Sequence, residues 1–591
     1  MPEVTLSASP RLRVKRNVRA RADGSAIPMR KLFATVILAS ALIANADETS
    51  FRAIQSGWFS NATPLFDHGI YGQHQVIAIL DTGLDWDSCY FAESDGAPPP
   101  INTGSPQNGF NFSNVDTSRR KVIAYDFLYS CDQFPFATGC DDPKDVHDYD
   151  NALHGTIAAA VAAGDQGVRF VHDDPAEGVA PGAKLIVQDG GFIGGDNCSQ
   201  RPGFGCPVQM TPILDQAYKQ GARIHSNSWG DRQSTPPSLP APTGNYSAAA
   251  RDVDAFVFAH PDMLLVFDTG NQAPNIPPPA SSVPAPGCAK NGIQVGGTRY
   301  INQHAFDDVV TPFSYIGPTR DGRIKPDLVA SSYVYTGNSD GDVSTKQCIT
   351  TIQSGTSWSA PTVAGAAALV RQYYTDGFYP TGVATQSNAF APSAALLKAT
   401  LIAAARSVPN DWIYGQGLAP AQPAPTFEQG FGFPVLDDAL YFPGDHARTR
   451  VADVPLVQGL TQNETATLRL NVKAGTPLKI ALVWTDPAGI PRGVSDSTPE
   501  LVNDLDLRVT DPFGTTLLGN DSLHPGQADR LNNVEVVSVD QPNVGLYTIS
   551  VTASHLGSGS RQSYALVVTG DLTDPIPSMP NPTARTRAAR H

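Results

Sequence analysis

Charge is scarce in this chain of 591 residues: Asp, Glu, Lys and Arg together make up 16%, while hydrophobic residues make up 41%. That balance excludes a chain disordered throughout, which would carry little apolar content and much charge. Basic residues are the scarcer sign, with 41 Lys and Arg against 56 Asp and Glu. Eight of the basic and only two of the acidic residues fall in positions 1–46, so the remainder holds 33 basic and 54 acidic residues, a net charge of −21. Such a surface repels a phosphate backbone, which excludes nucleic acid as a partner, and it favours solubility and cations. No CxxC pair is present, so a zinc site of that type is excluded. No internal repeat is found, and beyond residue 46 no apolar run is long enough to span a bilayer. The length exceeds what one core supports, so two or more domains are expected.

A targeting signal stands inside the chain. Met29-Arg30-Lys31 is basic, Leu32 to Ile43 is an apolar run, and Ala44-Asn45-Ala46 is a small-x-small cleavage site followed by Asp47 and Glu48. This is the three-part layout of a secretory signal peptide. Residues 29–46 are therefore read as the signal, and Arg-rich residues 1–28 as a mis-called upstream extension with translation starting at Met29. The mature protein is expected outside the cytoplasm, extracellular or periplasmic, and away from the membrane once the signal is removed. Export permits disulfides among Cys89, Cys131, Cys140, Cys198, Cys206, Cys288 and Cys348. Close spacing favours Cys131–Cys140 and Cys198–Cys206, the connectivity stays open, and the odd count leaves a thiol over.

After a short lead-in at 47–75, strand and helix alternate. Val76 to Leu80 is continuously apolar, as a strand buried on both faces must be. Further strands are expected at 184–188, 223–227, 263–267 and 293–296, with helices at 154–163, 211–220, 248–259, 357–373 and 392–405. This predicts an α/β fold over 76–440, a mainly parallel sheet flanked by helices. The pattern then changes. Leu478, Ile480, Leu482 and Trp484 alternate with other residues, as do Leu505, Leu507 and Val509, and Tyr547, Ile549 and Val551. A period of two broken by turn residues predicts an all-β sandwich over 450–571. Residues 572–591, rich in Pro, Arg and Thr, read as a disordered tail.

Three segments carry chemistry. Asp81-Thr82-Gly83 closes a buried strand, at the edge where parallel sheets place ligands. His154-Gly155-Thr156 opens an Ala-rich helix. Ser354-Gly355-Thr356-Ser357 leads into another helix, whose first N–H groups point outward. Each alone is ordinary turn or capping chemistry. Together, in the order Asp, His, Ser, they match one known arrangement of the serine hydrolase triad.

On these motifs the sequence resembles the subtilisin-like serine peptidases of family S8. Gly178-Val179-Ala180-Pro181-Gly182-Ala183, Ser228-Trp229-Gly230, Gly270-Asn271, and the block from Gly317 through Asp321-Gly322-Arg323-Ile324-Lys325-Pro326-Asp327 agree as well. Trp484-Thr485-Asp486-Pro487, Leu501 to Leu507 and Asn532-Asn533-Val534-Glu535 resemble the C-terminal β-barrel of KP-43-type alkaline subtilases, which implies a jelly-roll domain. The resemblance implies a serine endopeptidase acting on protein or peptide substrates as a monomer, through an acyl-enzyme. Asp81, His154 and Ser357 would be its triad and Asn271 its oxyanion donor. Ser228, Trp229, Gly230, Asp268 and Gly270 would bind substrate, with Asp268 either favouring a basic side chain at the cleavage site or else turned to solvent or bonding backbone. The resemblance also implies structural Ca2+; Asp504 and Asp506, which share one strand face, are read either as its ligands, joined by Asp486 or Glu535, or as a solvated acidic face. Where relatives often carry Met after the nucleophile, this chain has Trp358, which cannot form a sulfoxide. Two other readings are a pseudoenzyme scaffold and an adhesion protein working through 450–571. The full triad counts against the first, and the lack of an aromatic cluster counts against the second.

Overall fold

A computed structural model describes residues 49–573 apart from 58–59, 61, 106–108, 129, 132–141, 148, 151–152, 168–173, 191–208, 231–243, 273–276, 300–308 and 414–416. The signal segment, the upstream extension, Cys140, Cys198, Cys206 and all but the first two residues of the tail lie outside the described residues. The described residues all belong to one compact unit.

Eight strands build the parallel core: β1 (Val76–Asp81), β2 (Ile101–Ser105), β3 (Val122–Phe127), β4 (Lys184–Asp189), β5 (Ile224–Asn227), β6 (Leu264–Asp268), β7 (Ile293–Arg299) and β8 (Leu328–Ser331). Their order is β2-β3-β4-β1-β5-β6-β7-β8, and every one of these pairings is parallel. The chain enters at the middle of the sheet, so strand order reverses at β1, where such folds open a crevice. Register fixes what meets there. Leu80 pairs with Asn227, and Asn227 with Phe267. The next row therefore carries Asp81, Ser228 and Asp268 side by side at the carboxyl edge of three neighbouring strands.

The described helices include α1 (Thr49–Ser56), α2 (His154–Ala163), α3 (Met210–Gln220), α4 (Ala248–Ala259), α5 (Ser359–Thr375) and α6 (Ala394–Ala403). α2 packs on α5, and α3 packs on α4, each pair also touching the sheet. Small residues on α2 and α5 make the close approach possible: Ala158, Ala160, Ala162, Ala364, Ala366 and Ala367 are all fully buried. The lead-in is part of this core, since Phe51, Ile54, Leu65, Phe66 and Ile70 are buried. No helix among the described residues is long and apolar enough to cross a membrane.

Eight further strands are antiparallel: β9 (Arg448–Val454), β10 (Thr465–Val472), β11 (Leu478–Val483), β12 (Asn503–Thr510), β13 (Thr516–Leu518), β14 (Val534–Val539), β15 (Gly545–Leu556) and β16 (Tyr564–Gly570). They form two four-stranded sheets, β9-β16-β11-β14 and β10-β15-β12-β13. Ile480, Leu482 and Trp484 fill the space between the sheets, whereas Ala481, Val483 and Val567 join the peptidase core. The first sheet is thus buried on both faces, which explains why Ala481 and Val483, between the expected core positions of β11, are apolar too. α6 lies against β11 and β16, and all ten of its residues are buried. A helix apolar nearly all round is what a position between two layers requires.

Candidate active site

The site is assembled from the two glycine-bearing motifs first. Gly83 has φ +107, and a Cβ there would stand 1.7 Å from the Tyr149 carbonyl oxygen; a Cβ on Gly155 would stand 2.0 Å from the Gly83 oxygen. Only glycines let these segments touch. Across the contact, Gly155 N–H donates to Thr82 Oγ1 at 2.9 Å, and that hydroxyl donates to Asp150 Oδ1 at 2.8 Å. Asp150 Oδ2 accepts from Thr156 N–H at 2.8 Å. The preceding Leu153 is held in the left-handed region at φ +57, a strained backbone of the kind that clusters at functional sites. The outcome is that His154, heading α2, meets Asp81, ending β1: Nδ1 lies 2.6 Å from Asp81 Oδ1. Asp81 is 3% exposed, and its Oδ1 also accepts from Thr82 N–H at 2.8 Å.

Ser357 is the second residue of a short 3-10 turn, Thr356–Trp358, that runs straight into α5. The helix expected from residue 357 therefore begins at Ser359, and Ser357 stands in the tighter turn before it. Four contacts fix the turn. Ser228 Oγ donates to the Ser357 carbonyl at 2.6 Å. Thr356 N–H donates to Asn271 Oδ1 at 2.9 Å. Thr356 Oγ1 donates to Asp268 Oδ2 at 2.9 Å, and Asp268 Oδ2 accepts from Gly270 N–H at 3.1 Å. The Trp358 ring lies against the His154 ring, with centroids 4.9 Å apart at 38°. An N–H can only donate, so the atom of Asn271 facing Thr356 is its carbonyl oxygen, and its Nδ2 donors are turned elsewhere.

The sequence-derived residues therefore meet at one place, except those of the proposed metal site. Asp268 is buried and ties the Gly270-Asn271 turn to the Ser357 turn; it does not face solvent. Ser228 acts as a clamp on the serine turn. Gly230 packs tightly, since a Cβ on it would lie 2.7 Å from Pro284 Cγ. Trp229 sets its ring edge-on to Phe267 at 6.2 Å. Thr82 belongs to the first motif, whereas Asp150 is not singled out by sequence; it stands four residues before His154, and an acidic residue at that place is the available signal.

Burial lowers the affinity of His154 for its proton, but the Asp81 charge and hydrogen bond outweigh it and push the pKa up to about 9. Burial likewise pushes Asp150 up to about 6, against the hydrogen bonds from Thr156 and Thr82 that favour its charge.

Asp504 and Asp506 lie on β12 and meet Glu535 of β14, with one ligand oxygen from each within 4.8 Å of the others. All three are buried, so this is not a solvated acidic face. Asp486 does not join them; it bonds Lys290. Arg530 Nη1 donates to Asp504 and, at 2.5 Å, to Asp506 Oδ1. Asp504 Oδ1 and Glu535 Oε1 remain buried without a hydrogen-bond partner among the described residues. Burial raises the Glu535 carboxyl well above its usual range.

Among the cysteines, Cys89 is bonded to Cys348 across 259 positions, a pairing that spacing could not indicate. Cys131 is in a disulfide, and Cys288 is free and buried. The expected pairings Cys131–Cys140 and Cys198–Cys206 involve residues outside the described set.

A parallel α/β sheet with an Asp-His pair at its carboxyl edge and a serine turn beside it defines a serine-type peptidase. The chain belongs to the subtilase family, whose model matches residues 72–432, more than half of its length. It is 26% identical over 624 aligned residues to the serine protease/ABC transporter B family protein tagB of Dictyostelium discoideum, covering 85% of this chain and 30% of that protein. It is 25% identical to tagA of the same organism, covering 90% of this chain and 32% of that one. The chain thus spans less than a third of these relatives. Similar solved structures include a serine protease of Aeromonas sobria, at 14% identity and TM-score 0.39, covering 90% of this chain and 95% of that one. Fervidolysin from Fervidobacterium pennivorans aligns at 17% identity and TM-score 0.40, covering 85% of this chain and 63% of that one.

Proposed function

We propose that this chain is a secreted serine endopeptidase that cleaves proteins or peptides through Asp81, His154 and Ser357. The observation that carries the proposal is the 2.6 Å bond from His154 Nδ1 to the buried Asp81 carboxylate, on a ring that lies against the residue following Ser357. Nδ1–H held by Asp81 leaves His154 Nε2 as the proton acceptor. Ser357 Oγ attacks the scissile carbonyl carbon while His154 takes its proton. The carbonyl oxygen gains the charge and accepts from Asn271 Nδ2 and Ser357 N–H. The C–N bond then breaks, with the proton passing from His154 to the leaving nitrogen, and water hydrolyses the acyl-enzyme by the same steps in reverse order. Ser228, Trp229 and Gly230, continuing β5, offer an extended edge for substrate backbone. Asp268, already bonded to Gly270 and Thr356, acts on the oxyanion turn and not on a basic substrate side chain.

The test is casein hydrolysis by protein recovered from the medium of an expressing host, with and without phenylmethylsulfonyl fluoride, beside Ser357→Ala. Activity lost in both arms supports the proposal. An active Ser357→Ala refutes the triad, and retention of the protein inside the cell refutes secretion.

The pH profile follows from Asp81. The reaction needs neutral His154, so kcat/KM on a peptide substrate is expected to rise with pH and reach half its plateau near pH 9, given the pKa pushed up to about 9. A half-rise near the ordinary 6.5 shows that Asp81 does not hold the proton. The same raised pKa contributes stability that is full below pH 6.5 and lost as pH climbs through about 9.

Structural calcium is proposed at Asp504, Asp506 and Glu535. Hard carboxylate oxygens suit that ion, and the partnerless Asp504 Oδ1 and Glu535 Oε1 are the atoms it would satisfy. Chelation is expected to lower the thermal midpoint of the wild type and to leave Asp506→Ala unmoved. An unmoved wild type removes calcium from this site.

A further inference from the structure

Trp358 carries a hydrogen-bond donor that none of the described residues uses. The residue is 5% exposed, and its indole Nε1–H has no hydrogen-bond partner among the described residues. Indole nitrogen only donates, and buried donors are almost always paired, so a lone one calls for an explanation.

Its surroundings supply one. Gly355 leaves a gap beside the serine turn. A methyl group placed on it would lie 3.6 Å from Trp358 Nε1, 3.7 Å from Asn271 Oδ1 and 3.8 Å from Asn271 Nδ2. The indole nitrogen and the Asn271 amide thus border the same small space, within two residues of Ser357. Asn271 Oδ1 is committed to Thr356 N–H, which leaves Nδ2 for that space. The nearby Thr356 hydroxyl is not available, because its single hydrogen goes to Asp268 Oδ2 at 2.9 Å. The His154 ring, tilted at 38° against the indole, helps to hold it in place.

We propose that Trp358 Nε1–H is a catalytic hydrogen-bond donor to the oxyanion, acting beside Asn271 Nδ2. The proposal rests on the triad reading above. No bond to Trp358 forms or breaks. As the carbonyl π electrons move onto oxygen during Ser357 attack, the indole hydrogen shortens its contact with that oxygen, and it relaxes when the C–N bond breaks.

The test is Trp358→Phe, which keeps an aromatic ring beside His154 and removes the N–H along with the smaller ring that carries it. Kinetics on one peptide substrate are compared with inhibition by the aldehyde of the same peptide, whose hemiacetal adduct carries the oxyanion. The expected result is a kcat lower by about ten- to a hundred-fold, KM within about two-fold, and aldehyde affinity weakened by the same factor as kcat/KM. An unchanged kcat overturns the proposal. A kcat loss with unchanged aldehyde affinity also overturns it, because that pattern belongs to a ring that merely positions His154. Ser357→Ala is run alongside; activity surviving there defeats the triad reading itself and is thereby told apart. Should Trp358→Phe fail to fold, wild-type protein with 15N-labelled indoles answers the same question. One of its six tryptophan N–H signals is expected to move downfield when the aldehyde binds, and no movement overturns the assignment.

Discussion

Asp81→Asn is expected to lower kcat by about 10⁴-fold while the protein stays folded, a loss of the size that removing the triad carboxylate causes in other serine peptidases. The side chains are nearly the same shape, and Asp81 is 3% exposed, so packing is kept. What changes is charge. The carboxylate stabilises the imidazolium that forms as Ser357 loses its proton, and an amide does this poorly. A second readout separates this from misfolding. In the wild type, burial lowers the His154 pKa and Asp81 overcomes it. Without that charge the His154 pKa falls, so the acid limb of the residual activity is expected to move down from about 9. A variant with full kcat, or one whose limb stays near 9, shows that Asp81 is not the partner that matters.

Breaking the Lys290–Asp486 pair is expected to cost about 3–5 kcal/mol, because each single substitution leaves a charged or polar group buried without its partner. Both side chains are 0% exposed. Lys290 Nζ bonds the Asp486 carboxylate and donates to the Pro487 and Glu500 carbonyls at 2.7 and 2.8 Å. Asp486 in turn accepts from Val502 and Asn503 N–H at 2.9 and 2.7 Å. Around it, Asn291 Nδ2 donates to the Asp486 carbonyl at 2.8 Å, and Ile324 N–H donates to Asn532 Oδ1 at 2.7 Å. These contacts join the peptidase core to the antiparallel sheets. Burial raises the Asp486 carboxyl above its usual range, with Lys290 only opposing that effect, so the pair is maintained at a cost. Denaturant titration of the inhibited enzyme checks this: Lys290→Met and Asp486→Asn should each lower the midpoint markedly, and the double variant should lose much less than the two losses combined. Additive losses show that the two do not act as a pair.

That joint shows how local motifs acquire meaning only in three dimensions. Trp484-Thr485-Asp486-Pro487 and Asn532-Asn533 stand out in the sequence, as does the block from Gly317 to Asp327, but nothing in their spacing says that they face each other. In the fold, Asp321 pairs with Arg323 at 2.7 Å, and Asp327 takes Lys325 at 2.5 Å and Lys398 of α6 at 2.8 Å. Four of the charges of that block, Asp321, Arg323, Lys325 and Asp327, are thus held in buried ion pairs. Asp504 and Asp506 teach the same lesson in the other direction. Alternation along β12 assigns them to a polar face, yet Arg530 and Glu535 close over that face and bury it.

The sequence by itself determined the kind of sheet, the three motifs and their order, because a strand buried on both faces must be continuously apolar and a close approach must be made by glycine. Those are constraints on single segments, so single segments display them. Only the tertiary structure decided the rest. Strand register set Asp81, Ser228 and Asp268 in one row, and the fold paired Cys89 with Cys348. The turn before α5 set the Trp358 indole nitrogen beside Gly355. Each of these depends on contacts between segments far apart in the chain, and such contacts leave no local period or spacing to read.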